Sequence, residues 1–457
     1  MIIRVLFLLL IAATSLSAQS ISRQYGPAAD RLIRGATSDS AAYQRLVELT
    51  DRFGPRFSGT DNLERAIDWI IERMKEDGLE NVRGEPVMVP HWVRGRESAE
   101  LLEPRSAALP MLGLGGSIGT PPEGITAEVL AVSSFDELTR RAREARGKIV
   151  LFNVAFENYG ATVQYRYLGA QAAARVGAVA SLISSVASFS MKTPHTGLMA
   201  PYDSTLPRIP HAAITVEDAQ MLQRMQQRGQ RVVVKLMMEA QTLPDVQSRN
   251  VVAELRGRER PDEVVVLGGH VDSWDVGTGA MDDAGGCVAA WQAVKLMKRL
   301  GLRPRRTVRV VLWTNEENGL RGGTGYRDAH RDQLDQHVLA IESDAGVFKP
   351  LGFGVTASDS AFARIQQIKP LLDRIGAGEI TRGGGGADIG PIMALGVPGA
   401  GLNVQGDKYF WYHHSDADTV DKLDPYELNL STAALAILAY VVADLPDSLP
   451  RQPAASR

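Results

Sequence analysis

From residue 250 onward the sequence alternates between short apolar runs and amphipathic stretches. The apolar runs predict strands, and Gly286–Leu300 and Ala361–Ile375 have the apolar spacing of helices. Such alternation is typical of an α/β fold, in which helices cover both faces of a largely parallel sheet. Ligands bind such sheets at the carboxyl ends of the strands, so the residues that follow each strand are candidates for a site. The predicted strands are Asn250–Leu255, Glu263–Leu267, Val308–Thr314, His337–Ile341 and Gly396–Leu402.

The chain before residue 250 is organised differently. A length of 457 residues exceeds what one hydrophobic core usually supports, which favours two domains. Ala41–Phe53 and Asn62–Asp77 are predicted helices, and the Gly- and Pro-rich stretch Gly113–Gly124 is typical of a linker. Further predicted elements are the strands Ile125–Val132, Gly147–Phe152, Ala178–Val186 and Arg231–Met238 and the helix Gln164–Val176. We therefore predict a main domain of residues 19–118 and 244–446, an inserted α/β or β-rich domain of residues 119–243, and a flexible tail, 447–457.

The first 18 residues have the pattern of a secretory signal peptide. Arg4 precedes an apolar run that is too short to span a bilayer comfortably, and small residues lead to a cleavage site near Ala18. We expect an exported protein, secreted or periplasmic, without stable membrane insertion. Cys287 is the only cysteine, which excludes an internal disulfide and a cysteine-based zinc site. The net charge of −3 and the lack of basic runs argue against nucleic acid as a partner.

Histidine and paired acids follow the predicted strands. His270 ends an apolar run, where a lone histidine is more often a hydrogen-bonding residue than a metal ligand. Asp272 projects on the same side of an extended chain and could accept the other imidazole N–H, as partners of metal-bound histidines do. Asp282 and Asp283 precede a predicted helix, and adjacent acids cannot both cap it. Asp282 is our candidate for a carboxylate that bridges two metal ions, and we predict that Asp283 either caps the helix or supports the metal ligands.

Three further positions extend this set. Glu316 and Glu317 end a strand and point in different directions, so one can bind a metal while its neighbour acts as a base; a solvated acidic turn is the alternative. Asp344 alone is typical of a turn. His413 and His414 are adjacent, and the residues alone do not decide between them. Together, two imidazoles and several carboxylates favour a pair of zinc ions and a hydrolase.

Two glycine-rich stretches match other motifs only superficially. Ser117 lies in a Gly-x-Ser-x-Gly pattern, but that motif needs a strand before it and a helix after it, and Pro121 and Pro122 exclude the helix. The run Gly383–Gly386 lacks the Lys-Ser/Thr pair of a phosphate loop. We interpret this run as a mobile loop on the substrate side that leads to Asp388.

The motifs around these residues resemble those of the co-catalytic zinc aminopeptidase and glutamate carboxypeptidase family, nearest to its carboxypeptidase Q branch. The resemblance covers nearly the whole mature chain. It implies a zinc-peptidase catalytic domain, with a mixed, largely parallel sheet between helices, and an inserted protease-associated β-rich domain. The motifs are Gly-Gly-His270-Val-Asp272, Met-Asp282-Asp283, Asn-Glu316-Glu317, Ser-Asp344-Ala-Gly and His413-His414-Ser.

The resemblance also implies two Zn²⁺ per chain and a role for each residue. His270 and Asp344 would hold one ion, Glu317 and His414 the other, with Asp282 bridging. The choice of His414 over His413 rests on the family pattern His-Thr/Ser-x-x-Asp. The other implied roles are the general base for Glu316, the partner of His270 for Asp272, and substrate contacts for Asp388 and Tyr412.

The implied activity is exopeptidase hydrolysis of short peptides, above all dipeptides with free termini, by a homodimer. Two alternatives share the fold. A glutaminyl-peptide cyclase would use a one-zinc site, which the full set of ligands disfavours. A catalytically inactive binding protein would have lost ligands, and every candidate ligand is present in this chain.

Overall fold

The computed structural model describes residues 21–38 and 40–451, and its strands form two eight-stranded sheets. The strands, numbered in chain order, are β1 (Glu80–Val93), β2 (Glu97–Glu103), β3 (Ala107–Leu109), β4 (Met111–Gly113), β5 (Ile125–Val132), β6 (Ile149–Phe152), β7 (Ala180–Ser184), β8 (His211–Ile214), β9 (Val233–Met238), β10 (Gln241–Leu255), β11 (Arg260–His270), β12 (Arg306–Trp313), β13 (His337–Glu342), β14 (Pro350–Thr356), β15 (Glu379–Arg382) and β16 (Gly399–Val404). The helices are α1 (21–37), α2 (Ala41–Phe53), α3 (Asp61–Glu76), α4 (Phe135–Arg140), α5 (Ala142–Ala145), α6 (Tyr159–Arg175), α7 (Val216–Gln227), α8 (Gly285–Arg299), α9 (Arg321–Ala329), α10 (Asp359–Gln366), α11 (Lys369–Leu372), α12 (Gly390–Met393), α13 (Tyr409–Tyr412) and α14 (Pro425–Asp444).

The first sheet is mixed and has its parallel strands at the centre. Its order is β1-β10-β12-β11-β13-β16-β14-β15. Strands β12, β11, β13 and β16 run parallel to one another, whereas β10 and β14 join them in antiparallel pairs. Every residue of β12 and β13 is buried, as expected for parallel strands that are covered on both faces. The predicted mixed α/β fold is confirmed.

Helix α14 belongs to the core of this first sheet. It is capped by Asp424, whose carboxylate accepts hydrogen bonds from the backbone N–H groups of Tyr426 and Glu427. It packs against α8 and against strands of the first sheet. Within the described part of the chain it is the one helix long and apolar enough to cross a membrane, but 83% of its most apolar window is buried inside the protein. Burial in the core therefore explains the apolar composition of this helix.

The second sheet contains the strands from β2 to β9, in the order β3-β2-β9-β5-β6-β7-β8-β4. It begins at Glu97, upstream of the predicted boundary at residue 119. The stretch Gly113–Gly124, predicted to be a linker between domains, joins two strands of this one sheet instead. The glycines serve close packing here, because a Cβ atom at Gly115 would lie 2.2 Å from the ring of Trp274.

Two predicted segments differ in the structure. The predicted helix Ala361–Ile375 is divided into α10, α11 and a 3₁₀ turn, because Pro370 has no N–H to donate to the preceding turn. The first residues of the predicted flexible tail are packed: Leu449 is buried and Arg451 pairs with Asp335 at 3.1 Å. The signal peptide, 1–18, and residues 452–457 lie outside the described residues.

Candidate metal centre

The predicted ligands come together at the carboxyl ends of three adjacent parallel strands. His270 is the last residue of β11, while Glu317 and Asp344 lie in the loops that follow β12 and β13. Asp282 lies in a π turn, Ala280–Ala284, directly before α8, and His414 follows α13. The chain order of these elements therefore brings residues that are up to 144 positions apart to one edge of the first sheet.

Asp282 lies between two groups of side chains. Its Oδ1 is 3.1 Å from Nε2 of His270, which is also 3.3 Å from Oδ1 of Asp344. Its Oδ2 is 3.4 Å from Nε2 of His414, which is also 3.0 Å from Oε2 of Glu317. Each carboxylate oxygen of Asp282 thus faces one histidine–carboxylate pair, which is the arrangement that a bridging ligand requires.

The two adjacent histidines differ in their contacts. His413 Nε2 is 3.5 Å from Asp282 Oδ2, and its ring stacks on that of His414 with centroids 3.5 Å apart. Only His414 also reaches Glu317. Although burial lowers the pKa of His414, the Glu317 and Asp282 carboxylates raise it to about 9. Burial lowers the pKa of His413 well below its usual value. The geometry therefore favours His414 as the ligand.

The chemistry of this set fits zinc. Oδ2 of Asp282 and Oε1 of Glu317 are buried without a hydrogen-bond partner, which is costly unless a cation compensates. Burial, together with the Asp282 charge, raises the pKa of Glu317 to about 7. The carboxylates, Asp344 first, raise the pKa of His270 well above its usual value although burial alone would lower it. Imidazole nitrogens and carboxylate oxygens are the ligands of hydrolytic zinc sites.

A cavity of about 1190 Å³ opens onto these residues. One wall carries four of the five candidate ligands, Asp282, Glu317, Asp344 and His414, together with Glu316 and Tyr409. The opposite wall comes from the unit built on the second sheet and includes Tyr159, Arg166, Leu198, Tyr202 and Arg208. The cavity is therefore a cleft between the two sheets, and it exceeds the usual 300–1,000 Å³ range of small-ligand pockets.

Comparison with known proteins identifies the family. Bovine carboxypeptidase Q (Bos taurus) is 51% identical over 430 residues, which cover 93% of this chain and 91% of that protein. Human carboxypeptidase Q (Homo sapiens) is 51% identical and covers 91% and 88%. The model of peptidase family M28 matches residues 250–439. This chain belongs to peptidase family M28. It is a zinc metallopeptidase. The relatives named here are peptidases, so the similarity supports neither of the two alternatives, the cyclase and the inactive binding protein.

Two solved peptidase structures have the same fold as this chain. The peptidase M28 precursor from Shewanella amazonensis superposes with a TM-score of 0.89 at 35% identity, covering 93% of this chain and 98% of that one. A zinc aminopeptidase from Bacillus subtilis superposes with a TM-score of 0.65 at 19% identity, covering 87% and 93%. The first of these matches extends over both sheets.

In this M28 peptidase, Asp272 supports the site through atoms that differ from the predicted ones. Nδ1 of His270 is 2.9 Å from the backbone carbonyl oxygen of Asp272 and 3.8 Å from its carboxylate. The carboxylate instead accepts hydrogen bonds from the backbone N–H groups of Glu316 and Glu317, at 3.1 and 3.3 Å. The predicted carboxylate–imidazole bond is wrong, because the extended chain places the carbonyl nearer to the ring.

Asp283 has both a capping and a supporting contact. Its Oδ1 accepts from the N–H of Gly286 in the first turn of α8, and its Oδ2 accepts from the backbone N–H of His270, both at 3.1 Å. Asp418, the last residue of the His-Ser-x-x-Asp pattern, accepts from the N–H groups of Met281 and Asp282. Asp418 thus fixes the backbone of the predicted bridging residue, while Asp283 links the same turn to His270 and to α8.

Neither of the two residues predicted to contact substrate lines the cavity. The Asp388 carboxylate is buried outside the cavity lining, where burial and the nearby Glu342 raise its pKa well above its usual value. Tyr412 is also absent from the lining. Tyr409, one turn of helix earlier in α13, lines the cavity instead.

Sequence reasoning missed Arg56. This side chain is fully buried, and its guanidinium donates to the carbonyl oxygens of Val271, Thr278 and Gly279. It thereby ties together the loops that carry His270 and Asp282. Arg56 lies 214 positions before His270, the nearest predicted metal ligand in the sequence, and no periodicity or spacing around it indicates this role.

Ser117, which lies in the Gly-x-Ser-x-Gly pattern that was not assigned a catalytic role, is buried. Its hydroxyl accepts from the N–H of His211 and donates to the carbonyl of Ile118. Its backbone carbonyl accepts from the indole N–H of Trp92. These contacts give Ser117 a structural role next to the second sheet, and its side chain is not part of the cavity lining.

Proposed function

We propose that this chain is an exported exopeptidase that holds two zinc ions and hydrolyses short peptides, above all dipeptides with free termini. The observation that carries the proposal is the position of Asp282, with one oxygen toward the His270–Asp344 pair and the other toward the His414–Glu317 pair. Those five residues would hold the ions. Zinc bound there supplies Lewis acidity, which lowers the pKa of water and polarises a carbonyl.

Glu316 is the general base of the proposed reaction. Its side chain lines the cavity beside the ligands, while its backbone is held by Asp272. Among the described residues, Glu316 makes none of the short imidazole contacts that group the ligands. It can therefore accept the proton of the attacking water and deliver it to the leaving amine.

The walls of the cleft suit a short peptide. Aromatic residues of both units, Tyr159, Tyr409 and Phe410, line the cavity, and they offer apolar surface to substrate side chains. The unit built on the second sheet is the proposed protease-associated domain, since it forms the wall opposite the catalytic residues.

The test is product analysis by mass spectrometry on a panel of di- and tripeptides. Each peptide is supplied with free, N-blocked and C-blocked termini, with and without a chelator, and zinc is restored afterwards. We expect cleavage of free dipeptides that chelation abolishes and zinc restores. The block that is tolerated names the terminus that the enzyme reads. Cleavage of none of these peptides in zinc-replete buffer would refute the proposal.

A further inference from the structure

We propose that His195, in the loop between β7 and β8, is a positioning residue for the zinc ligand His414. This inference rests on the proposed two-ion site. It assigns part of the metal centre to the unit built on the second sheet, which otherwise contributes only a wall of the cleft.

Three hydrogen bonds join this loop to the ligand segment; one is between the imidazole Nδ1 of His414 and the carbonyl oxygen of Thr196, at 3.3 Å, and the other two hold the backbone of the segment. Nδ1 of His195 is 2.6 Å from the backbone carbonyl oxygen of His413. Because a carbonyl oxygen can only accept, Nδ1 carries the proton and donates it. The backbone N–H of Thr196 donates to the carbonyl oxygen of His414 at 2.8 Å. Two successive residues of the loop thus hold two successive carbonyls of the ligand segment.

These two bonds constrain the backbone of His414 on both sides. The carbonyl of His413 belongs to the peptide plane before the Cα of His414, and the carbonyl of His414 belongs to the plane after it. His414 has a φ of 60°, a left-handed conformation that is unfavourable for residues other than glycine. In this conformation the imidazole reaches both Glu317 and Asp282. Fixing both planes therefore holds the ligand in an orientation that the free chain would rarely adopt.

The loop itself is firmly anchored to the second sheet. His195 is 1% exposed, and its backbone N–H donates to Oγ of Ser185, which in turn donates to the carbonyl of Ile214 in β8. The Thr196 hydroxyl donates to the carbonyl of Gly113 in β4. Nε2 of His195 is buried without a partner, so the bond to His413 is its one side-chain hydrogen bond among the described residues.

The two halves of the metal centre therefore differ in their support. The His270–Asp344 half is built on β11 and β13 of the first sheet. The His414–Glu317 half depends on the His195 loop as well. Loss of the His195 donor should weaken the binding of the ion at the His414–Glu317 pair and leave the binding of the other ion unchanged.

The experiment compares zinc binding by three variants of the full chain. His195→Phe fills the site but removes the donor, and His195→Asn keeps an N–H donor at the same δ position. His337→Phe is the matched control, because His337 is also 1% exposed and its Nδ1 is 3.0 Å from the carbonyl of Gln333, at the opposite end of β13. Zinc per chain is measured by elemental analysis after dialysis against graded chelator, and cobalt substitution reports the geometry by visible absorption.

We expect wild type, His195→Asn and His337→Phe to hold two ions. His195→Phe should hold one ion normally and bind the second about 10- to 100-fold more weakly, the range seen when supporting partners of metal ligands are removed. If His195→Phe does not fold, His195→Gln replaces it. Its donor is one bond farther from the backbone, so it should lose the second ion that His195→Asn keeps.

If His195→Phe binds each of the two ions as tightly as the wild type does, this inference is overturned and the proposed function still stands. An equal loss in His337→Phe would also overturn it, because the effect would then follow from general destabilisation. Binding of a single ion by the wild type would refute the two-ion proposal itself.

Discussion

The carboxylate of Asp272 holds the backbone N–H groups of both Glu316 and Glu317, 44 and 45 positions later in the chain. One acid therefore fixes both the proposed base and a proposed ligand. We expect Asp272→Ala to lower kcat and the affinity for zinc about 10- to 100-fold, because both side chains lose their anchor. Asp272→Asn, which keeps one acceptor oxygen, should lie between this variant and wild type. Steady-state kinetics and zinc analysis on the same samples give the result; wild-type values for Asp272→Ala would contradict the assignment.

The base can be separated from the ligands by substitution. Glu316→Gln should keep its full zinc content but lose about 10²- to 10⁴-fold in kcat, since an amide cannot accept the proton of water. Glu317→Gln, at the neighbouring position, should lose zinc as well as activity. If Glu316→Gln retains near wild-type turnover, the base is another residue.

Arg56 should matter for stability more than any exposed arginine. Arg56→Ala leaves the buried carbonyls of Val271, Thr278 and Gly279 without their donor, and a hydrogen bond to a charged group contributes about 1.5–3 kcal/mol. We expect the free energy of unfolding to fall by at least about 3 kcal/mol in urea titration. Arg52→Ala, which removes an exposed ion pair with Glu48, is the control and should cost less than about 0.5 kcal/mol. Equal effects of the two substitutions would show that Arg56 does not hold the loops together.

The metal-free protein should lose stability as the pH rises. Burial raises the pKa of Glu342 from 4.5 to about 7 and that of Asp418 from 3.8 to about 7. A carboxyl group with a raised pKa in the folded state binds its proton more tightly when folded. Its ionisation therefore destabilises the fold progressively between about pH 4 and pH 7. Melting temperatures of the chelated protein should fall across this window, and zinc at pH 7.5 should restore them. A melting temperature that rises with pH in the chelated protein would contradict the assignment.

The sequence predicted best the elements whose pattern is local. The bounds of α2 and β5 are confirmed residue for residue, because their apolar spacing and flanking residues are contained within the segments themselves. The motif residues at the strand ends could be found for a different reason. A parallel sheet brings the ends of its strands to one edge, so position in the strand predicts proximity in space.

The sequence could not predict what depends on distant contacts. Arg56 and His195 donate hydrogen bonds to backbone carbonyls in loops more than 200 positions away. Every residue has a backbone carbonyl, so the residue types in those loops do not indicate the contacts. Asp388 follows a glycine run that looked like a surface loop, yet tertiary packing buries its carboxylate beside Glu342. The early start of the second sheet was missed because three of the seven residues of β2 are glutamates, and because β3 and β4 have only three residues each, too few to show alternation.

The placement of Tyr159, Arg166 and Tyr202 on the same unit as His195 has a consequence for protein engineering. A chimera that exchanges this unit to obtain a new substrate preference would replace the wall of the cleft and the support of His414 in one step. Any such chimera would therefore differ from the native protein both in substrate selectivity and in its affinity for metal. A designer who wants only the first would transplant the wall residues and leave the native loop at residues 195 and 196 in place.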